Sequence, residues 1–253
     1  MSYIEELGIA AKAAERAICG ISQQKKNEAL EAIAAALTAN TDEIIAENKK
    51  DLEAAEASGM SAAMQDRLKL DADRIAKMAK GVREVIALPD PVGKVIGGGD
   101  LPNGLHIVKK RVPLGVVGII FESRPNVTVD AAALCLKSGN VCILRGGSDA
   151  IYSNKCLVKL MRAALAQAGV CEDAVSLVVD TSRQAVGELM KLNQYIDVLI
   201  PRGGGGLINN VRNNATIPVI QTGEGNCSVY VDQFADIEMA VNIVDNAKTQ
   251  RPS

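Results

Sequence analysis

Apolar positions along the chain change period near residue 113. Up to about residue 87 they recur at helical spacing, as at Leu30, Ile33, Ala34 and Leu37, within Ala-rich and charged text. Thr41-Asp42 reads as a helix start, Gly59 as a stop and Asp71 as another start, so several antiparallel helices are expected rather than one rod. From Asp90-Pro91 through Gly97-Gly98-Gly99 to Asn103-Gly104 the chain is dense in breakers. These lie between the apolar stretch at Val95-Ile96 and the alternating LHIVKKRV, a pattern that predicts a hairpin excursion.

After Pro113 short apolar runs alternate with amphipathic stretches. LGVVGIIF, VCIL, VSLVV, DVLI, IPVIQ and SVYVD are the strand candidates, and Ile237 to Lys248 reads as a last helix. Such a series is a βαβ pattern, and uninterrupted apolar runs suit strands covered on both faces. The expected fold class is α/β, a Rossmann-like doubly wound parallel sheet with an N-terminal helical region and a hairpin excursion. The expected divisions are 1–88 for the helical region, 89–113 for the excursion and 114–253 for the sheet domain.

Composition narrows the partner. The 253 residues carry Lys+Arg 28 against Asp+Glu 30, a net charge of -2, so no basic field favours nucleic acid. Aromatic residues are 2% with no Trp, which leaves few platforms for stacking bases and a core of Ala, Val, Ile and Leu. A small-molecule partner is expected. The six cysteines include no C-x-x-C pair and there is one His, so no metal site is expected. No run of eighteen apolar residues occurs and the first residues carry acids, which points to a cytoplasmic protein with reduced thiols.

Four constellations can carry chemistry. Phe121-Glu122-Ser123-Arg124-Pro125-Asn126 follows a strand candidate, where parallel sheets bind ligands; Ser123, Arg124 and Asn126 can hold a phosphate or an oxyanion, or they form a turn with capping residues. Arg145-Gly146-Gly147-Ser148 follows VCIL, with Ser148 placed to cap a helix and Arg145 placed to meet a ribose or its phosphate, or the segment is a tight turn. Arg202-Gly203-Gly204-Gly205-Gly206 opens another helix, and its glycines let amides approach a pyrophosphate, although the spacing is that of no standard nucleotide motif and a flexible loop also fits. Cys227, among small residues, is a candidate nucleophile without an obvious base, or a buried thiol. His106 reads as a strand residue.

The segments RVPLGVVGIIFESRPNVTVDAAALCLKSGNVCILRGG, DVLIPRGGGGLI, GNCSVYVD and NAKTQRP, together with DRLKLDADRIAKMAKGVREVIALPDPVG, resemble the gamma-glutamyl phosphate reductases of the aldehyde dehydrogenase superfamily. The resemblance runs from near the start to Ser253. It implies the aldehyde dehydrogenase type of fold and NADPH-dependent reduction of L-glutamate 5-phosphate to glutamate 5-semialdehyde with release of phosphate, in proline biosynthesis. It also implies a homo-oligomer whose contacts use the strand pair, and it admits glutamate 5-kinase as a protein partner. Arg145, Gly146, Gly147 and Ser148 match the segment that holds the adenosine ribose and its phosphate, and Arg202, Gly203, Gly204 and Gly205 match the pyrophosphate loop. Ser123, Arg124, Pro125 and Asn126 match the nicotinamide and acyl end.

In such enzymes a cysteine thiolate attacks the acyl carbon and expels phosphate, and hydride then reduces the thioester. The family places that cysteine two residues after an Arg-Pro-x, and here Arg251-Pro252-Ser253 is the last such triplet, so the nucleophile is expected beyond Ser253 and the chain alone is expected to be inactive. Thr222 aligns where hydrolytic relatives keep a general-base Glu, with Glu224 nearby, and Ser228 stands where many members have His. A competing reading is a non-catalytic nucleotide-binding or assembly protein derived from this family.

Overall fold

The computed structural model describes residues 2–221 and 227–250, so Thr222, Glu224 and Arg251-Pro252-Ser253 lie outside the described residues. The chain divides into a first unit, Met1–Thr222, and a second, Gly223–Ser253.

The helical text of the first unit forms α1 (Tyr3–Ile18), α2 (Gln23–Ala39), α3 (Thr41–Ala57), α4 (Ala62–Leu68) and α5 (Ala72–Ala87). The predicted signals act where they stand. Asp71 accepts a hydrogen bond from the Arg74 N–H at 2.9 Å and so caps α5. Gly59, just past α3, takes φ +74, a conformation that glycine reaches without a Cβ clash. The hairpin follows as β1 (Val95–Asp100) and β2 (His106–Lys110), antiparallel and exposed along both strands. His106 is a strand residue, and its ring Nδ1 is in hydrogen-bond contact with the Asp100 carboxylate across the hairpin.

A parallel sheet comes next, built from β3 (Val116–Phe121), β4 (Val141–Arg145), β5 (Val175–Leu177) and β6 (Val198–Arg202). The connections are α6 (Pro125–Lys137), α7 (Ile151–Gln167) and α8 (Arg183–Leu189), and α9 (Gly205–Asn214) follows β6. The strand order is β5-β4-β3-β6. Chain progress therefore runs outward from β3 to β5 and then returns to the far side of β3. With right-handed crossovers, this reversal puts α6 and α7 on one face and α8 on the other. α1 packs beside α8 and against the strands, while α2 and α5 form an outer layer with α6 and α7. The doubly wound arrangement expected from the sequence is present.

Val, Ile, Leu and Ala fill the core as the composition requires, with Phe121 its largest fully buried side chain. At roughly 1.5–3 kcal/mol for each fully buried large aliphatic side chain, this continuous core is the main favourable term holding the helical layer on the sheet. Two predicted strands differ. IPVIQ contributes one parallel bridge, Val219 to Leu199, with Pro218 accepting from the Leu199 N–H and Ile220 donating back. Pro218 has no N–H to extend a ladder. In SVYVD, Ser228 to Asp232 form no strand among the described residues. The helix of the second unit is α10 (Ile237–Thr249), and Asp236 caps it by accepting from the Met239 N–H at 3.0 Å.

Candidate functional site

An open sheet offers its natural crevice where the strand order reverses, beyond the carboxyl ends of the strands on either side. Here that point lies between β3 and β6, whose last residues, Phe121 and Arg202, stand opposite each other. A cavity of about 320 Å³ sits there, lined by Glu122, Ser123 and Arg124 after β3 and by Arg202, Gly203 and Gly204 at the end of β6. Val127 from α6 and Met64 and Arg67 from α4 complete the lining.

The loop after β3 turns sharply. Ser123 has φ +29, a conformation that costs a non-glycine residue, and its hydroxyl donates to the Asp149 carboxylate. That bond ties the β3 loop to the Arg145–Ser148 loop after β4. Pro125 occupies the first turn of α6, where its missing N–H costs nothing. Asn126 belongs to the same turn, and its amide donates to Asp130 at 3.0 Å, within its own helix. So Ser123 and Arg124 line the cavity, whereas Pro125 and Asn126 do not.

The loop after β6 is held by Glu122. Its carboxylate accepts from the Gly204 N–H at 2.9 Å, at the position that caps α9. A Cβ on Gly203 would stand 2.5 Å from the same carboxylate, so a larger residue there requires the Glu122 side chain to shift. Gly205 is the first residue of α9.

After β4, Arg145 donates to the Thr181 carbonyl at 2.7 Å, and its buried Nε has no partner among the described residues. Burial pulls the guanidinium pKa down from its ordinary value, while Asp180 and Asp149 act in the opposite direction. Gly146 lies over the amide of Asn154, which a Cβ would strike. Ser148 does not cap the helix as expected: it is exposed in a short 3₁₀ turn, without a side-chain cap bond. Asp51 of α3 caps α7 instead, accepting from the N–H groups of Tyr152 (3.1 Å) and Ser153 (2.8 Å). No local signal marks this role, because Asp51 lies about a hundred residues before the helix it caps.

No cysteine of the first unit lines the cavity. Burial pushes the Cys156 thiol up to about 11, and Cys142, beside Cys135 and fully buried, is also raised. Such thiols are poor nucleophiles near neutral pH. Cys227, in the second unit, is exposed. Among the described residues no cluster of His, Cys, Asp and Glu could hold a metal, and no helix is long and apolar enough to cross a membrane.

Residues 3–250 match the model of the aldehyde dehydrogenase family. The chain belongs to that family. Aldehyde dehydrogenase family members are oxidoreductases that use nicotinamide nucleotides, and a crevice at the sheet's switch point, rimmed by glycine amides and arginines, suits such a ligand. The resemblance read from the sequence is borne out. A gamma-glutamyl phosphate reductase of Lachnospira eligens is 57% identical over 251 residues, covering 99% of this chain and 60% of that protein. One from Clostridium novyi is 56% identical over 252 residues, again covering 60% of its length. The crystal structure of gamma-glutamyl phosphate reductase from Thermotoga maritima superposes with a TM-score of 0.93 at 44% identity, covering 99% of this chain and 61% of that one. This aldehyde dehydrogenase chain thus spans about 60% of the length of the relatives it matches.

Sequence reasoning missed Val127, Met64 and Arg67 in the lining, and it named Glu122 within the loop after the strand without giving it a role. Glu122 had a local signal, since it directly follows the strand. Met64 and Arg67 had none, because only tertiary packing brings α4 to the sheet.

Proposed function

We propose that this chain is the cofactor-binding part of a gamma-glutamyl phosphate reductase that takes NADPH and L-glutamate 5-phosphate. The observation that carries the reading is the buried, unpartnered Nε of Arg145 at the end of β4, a loop that does not line the glycine-rimmed crevice at the β3–β6 switch point but is joined to it by the Ser123–Asp149 hydrogen bond. A buried donor without a partner calls for an acceptor, and a phosphate on the cofactor ribose is one.

In this reading Arg145 holds the ribose 2′-phosphate and Gly146, Gly147 and Ser148 shape the ribose pocket. The amides of Gly203, Gly204 and Gly205, with Arg202, receive the pyrophosphate. Ser123 and Arg124 face the reacting end, where Arg124 stabilises charge on the acyl oxygen or the departing phosphate. Pro125 and Asn126 act indirectly, by starting α6 and fixing the turn that aims those two residues. NADPH, when bound, supplies the hydride. One acyl phosphate, one NADPH and one proton yield one aldehyde, one NADP⁺ and one inorganic phosphate. The nucleophile is not one of the buried thiols of the sheet unit. A role in proline biosynthesis fits the names of the relatives.

The test is NADPH formation from glutamate 5-semialdehyde, inorganic phosphate and NADP⁺ by the protein that carries this chain. A rate that requires phosphate and prefers NADP⁺ over NAD⁺ supports the reading. A rate indifferent to phosphate contradicts it.

A further inference from the structure

The side chain of Arg67 is the part of the cavity that the cofactor reading leaves without a task. It comes from α4 in the helical layer, while the other charged lining groups come from the ends of β3 and β6. Met64 and Arg67, three residues apart, share one helix face and form that wall of the cavity.

The placement of α4 is built rather than incidental. Leu68 is fully buried, in a small cluster with Ala55 and Ala150. Asn48, itself buried, donates to the Leu68 carbonyl at 2.9 Å and accepts from the Leu70 N–H at 2.7 Å, which clamps the end of the helix next to Arg67. The adjacent carboxylate, Asp66, pairs with Arg74 at 2.7 Å. Arg67 therefore has neither an ion pair nor a side-chain hydrogen bond among the described residues, although it is half-buried. Arg124 and Arg202 also lack carboxylate partners among the described residues, whereas Arg83 and Arg162 are paired. The titratable lining is three guanidinium groups against one carboxylate, Glu122, which already accepts from Gly204.

A site with that charge suits a ligand bearing two separate anions. The acyl phosphate of a glutamyl substrate must lie with its reacting carbon at the strand-end loops, next to Ser123, Arg124 and the cofactor. Its remaining anion, the α-carboxylate, projects from the other end of the molecule. We infer that Arg67 is the specificity-determining residue that binds this α-carboxylate, an inference that rests on the reading proposed above.

The test compares two ligands that differ only in that group, L-2-amino-5-phosphonopentanoate and 4-aminobutylphosphonate, by isothermal titration. Arg67→Ala is expected to weaken the first roughly ten- to hundredfold, the worth of a charge-assisted bidentate pair, and to leave the second unchanged. Arg67→Lys, which keeps the charge but loses the fork, should fall between. Equal losses for both ligands would put Arg67 on the phosphonate or in a purely structural role, and no loss for either would remove it from the site; both overturn the inference. If the unaltered protein binds neither ligand, the underlying functional reading falls, and with it this one.

Discussion

The carboxylate of Glu122 accepts a hydrogen bond from the Gly204 N–H at 2.9 Å, at the start of α9. The backbone amide best placed to greet an anion is thus held by the chain's own anion. A cofactor phosphate must share that amide or displace the carboxylate, and the like charges oppose each other. Glu122→Gln keeps an acceptor and removes the charge, so NADPH is expected to bind severalfold more tightly, in line with about 1 kcal/mol for a charge near a helix N-terminus. Fluorescence titration of NADPH at constant ionic strength reads this. Unchanged or weaker binding would mean that the carboxylate is not in the phosphate's way.

Ser123 combines a costly backbone with a useful side chain. Its φ of +29 strains the loop, while its hydroxyl joins Asp149. Ser123→Ala loses the bond and keeps the strain; Ser123→Gly loses the bond and relieves the strain. The glycine variant should therefore be more stable than the alanine variant by about 1 kcal/mol, despite its more flexible unfolded chain. Urea midpoints of the two decide it, and an alanine variant at least as stable would show that the turn is unstrained.

Asp51 reports on the joint between the helical layer and the sheet. It is 2% exposed, caps α7 and also accepts from the Ser153 hydroxyl at 2.6 Å. Burial is the largest influence on its carboxyl and raises the pKa above 3.8, against the lowering effect of the bonds from Ser153 and Tyr152. The folded chain therefore holds this proton more tightly than the unfolded chain, and stability from this group falls as pH rises from 3.8 to the folded value. Asp51→Asn should destabilise by about 2 kcal/mol through lost acceptor capacity at the cap. The gap between the parent and the variant should narrow with rising pH in that window. A gap independent of pH would show that Asp51 does not titrate differently on folding.

Most of the sheet and both strand-end loops were legible in the sequence, because they follow from local features. Apolar runs such as Val116–Phe121 carry their meaning within a few residues. Asp71 and Gly59 likewise act on adjacent residues. What the sequence hid depends on distant segments. Asp51 takes the capping role expected of Ser148 across about a hundred residues, and Asn48 and Leu68 carry Arg67 to the cavity by tertiary packing. Asn126 was expected to hold an anion with Ser123 and Arg124, and its bond to Asp130, one helical turn on, was not foreseen. The strand expected at IPVIQ shrank to one bridge, because the proline at its second position cannot donate.

Comparing NADPH with NADH in one titration series, on the unaltered chain and on Arg145→Ala, bears most directly on the assignment of this crevice to a phosphorylated nicotinamide cofactor. NADPH should bind more tightly to the unaltered chain by roughly tenfold or more, the worth of a charge-assisted contact to one phosphate, and Arg145→Ala should erase that preference while NADH binding changes little. Equal affinity for the two cofactors, or a preference that survives in Arg145→Ala, would contradict it.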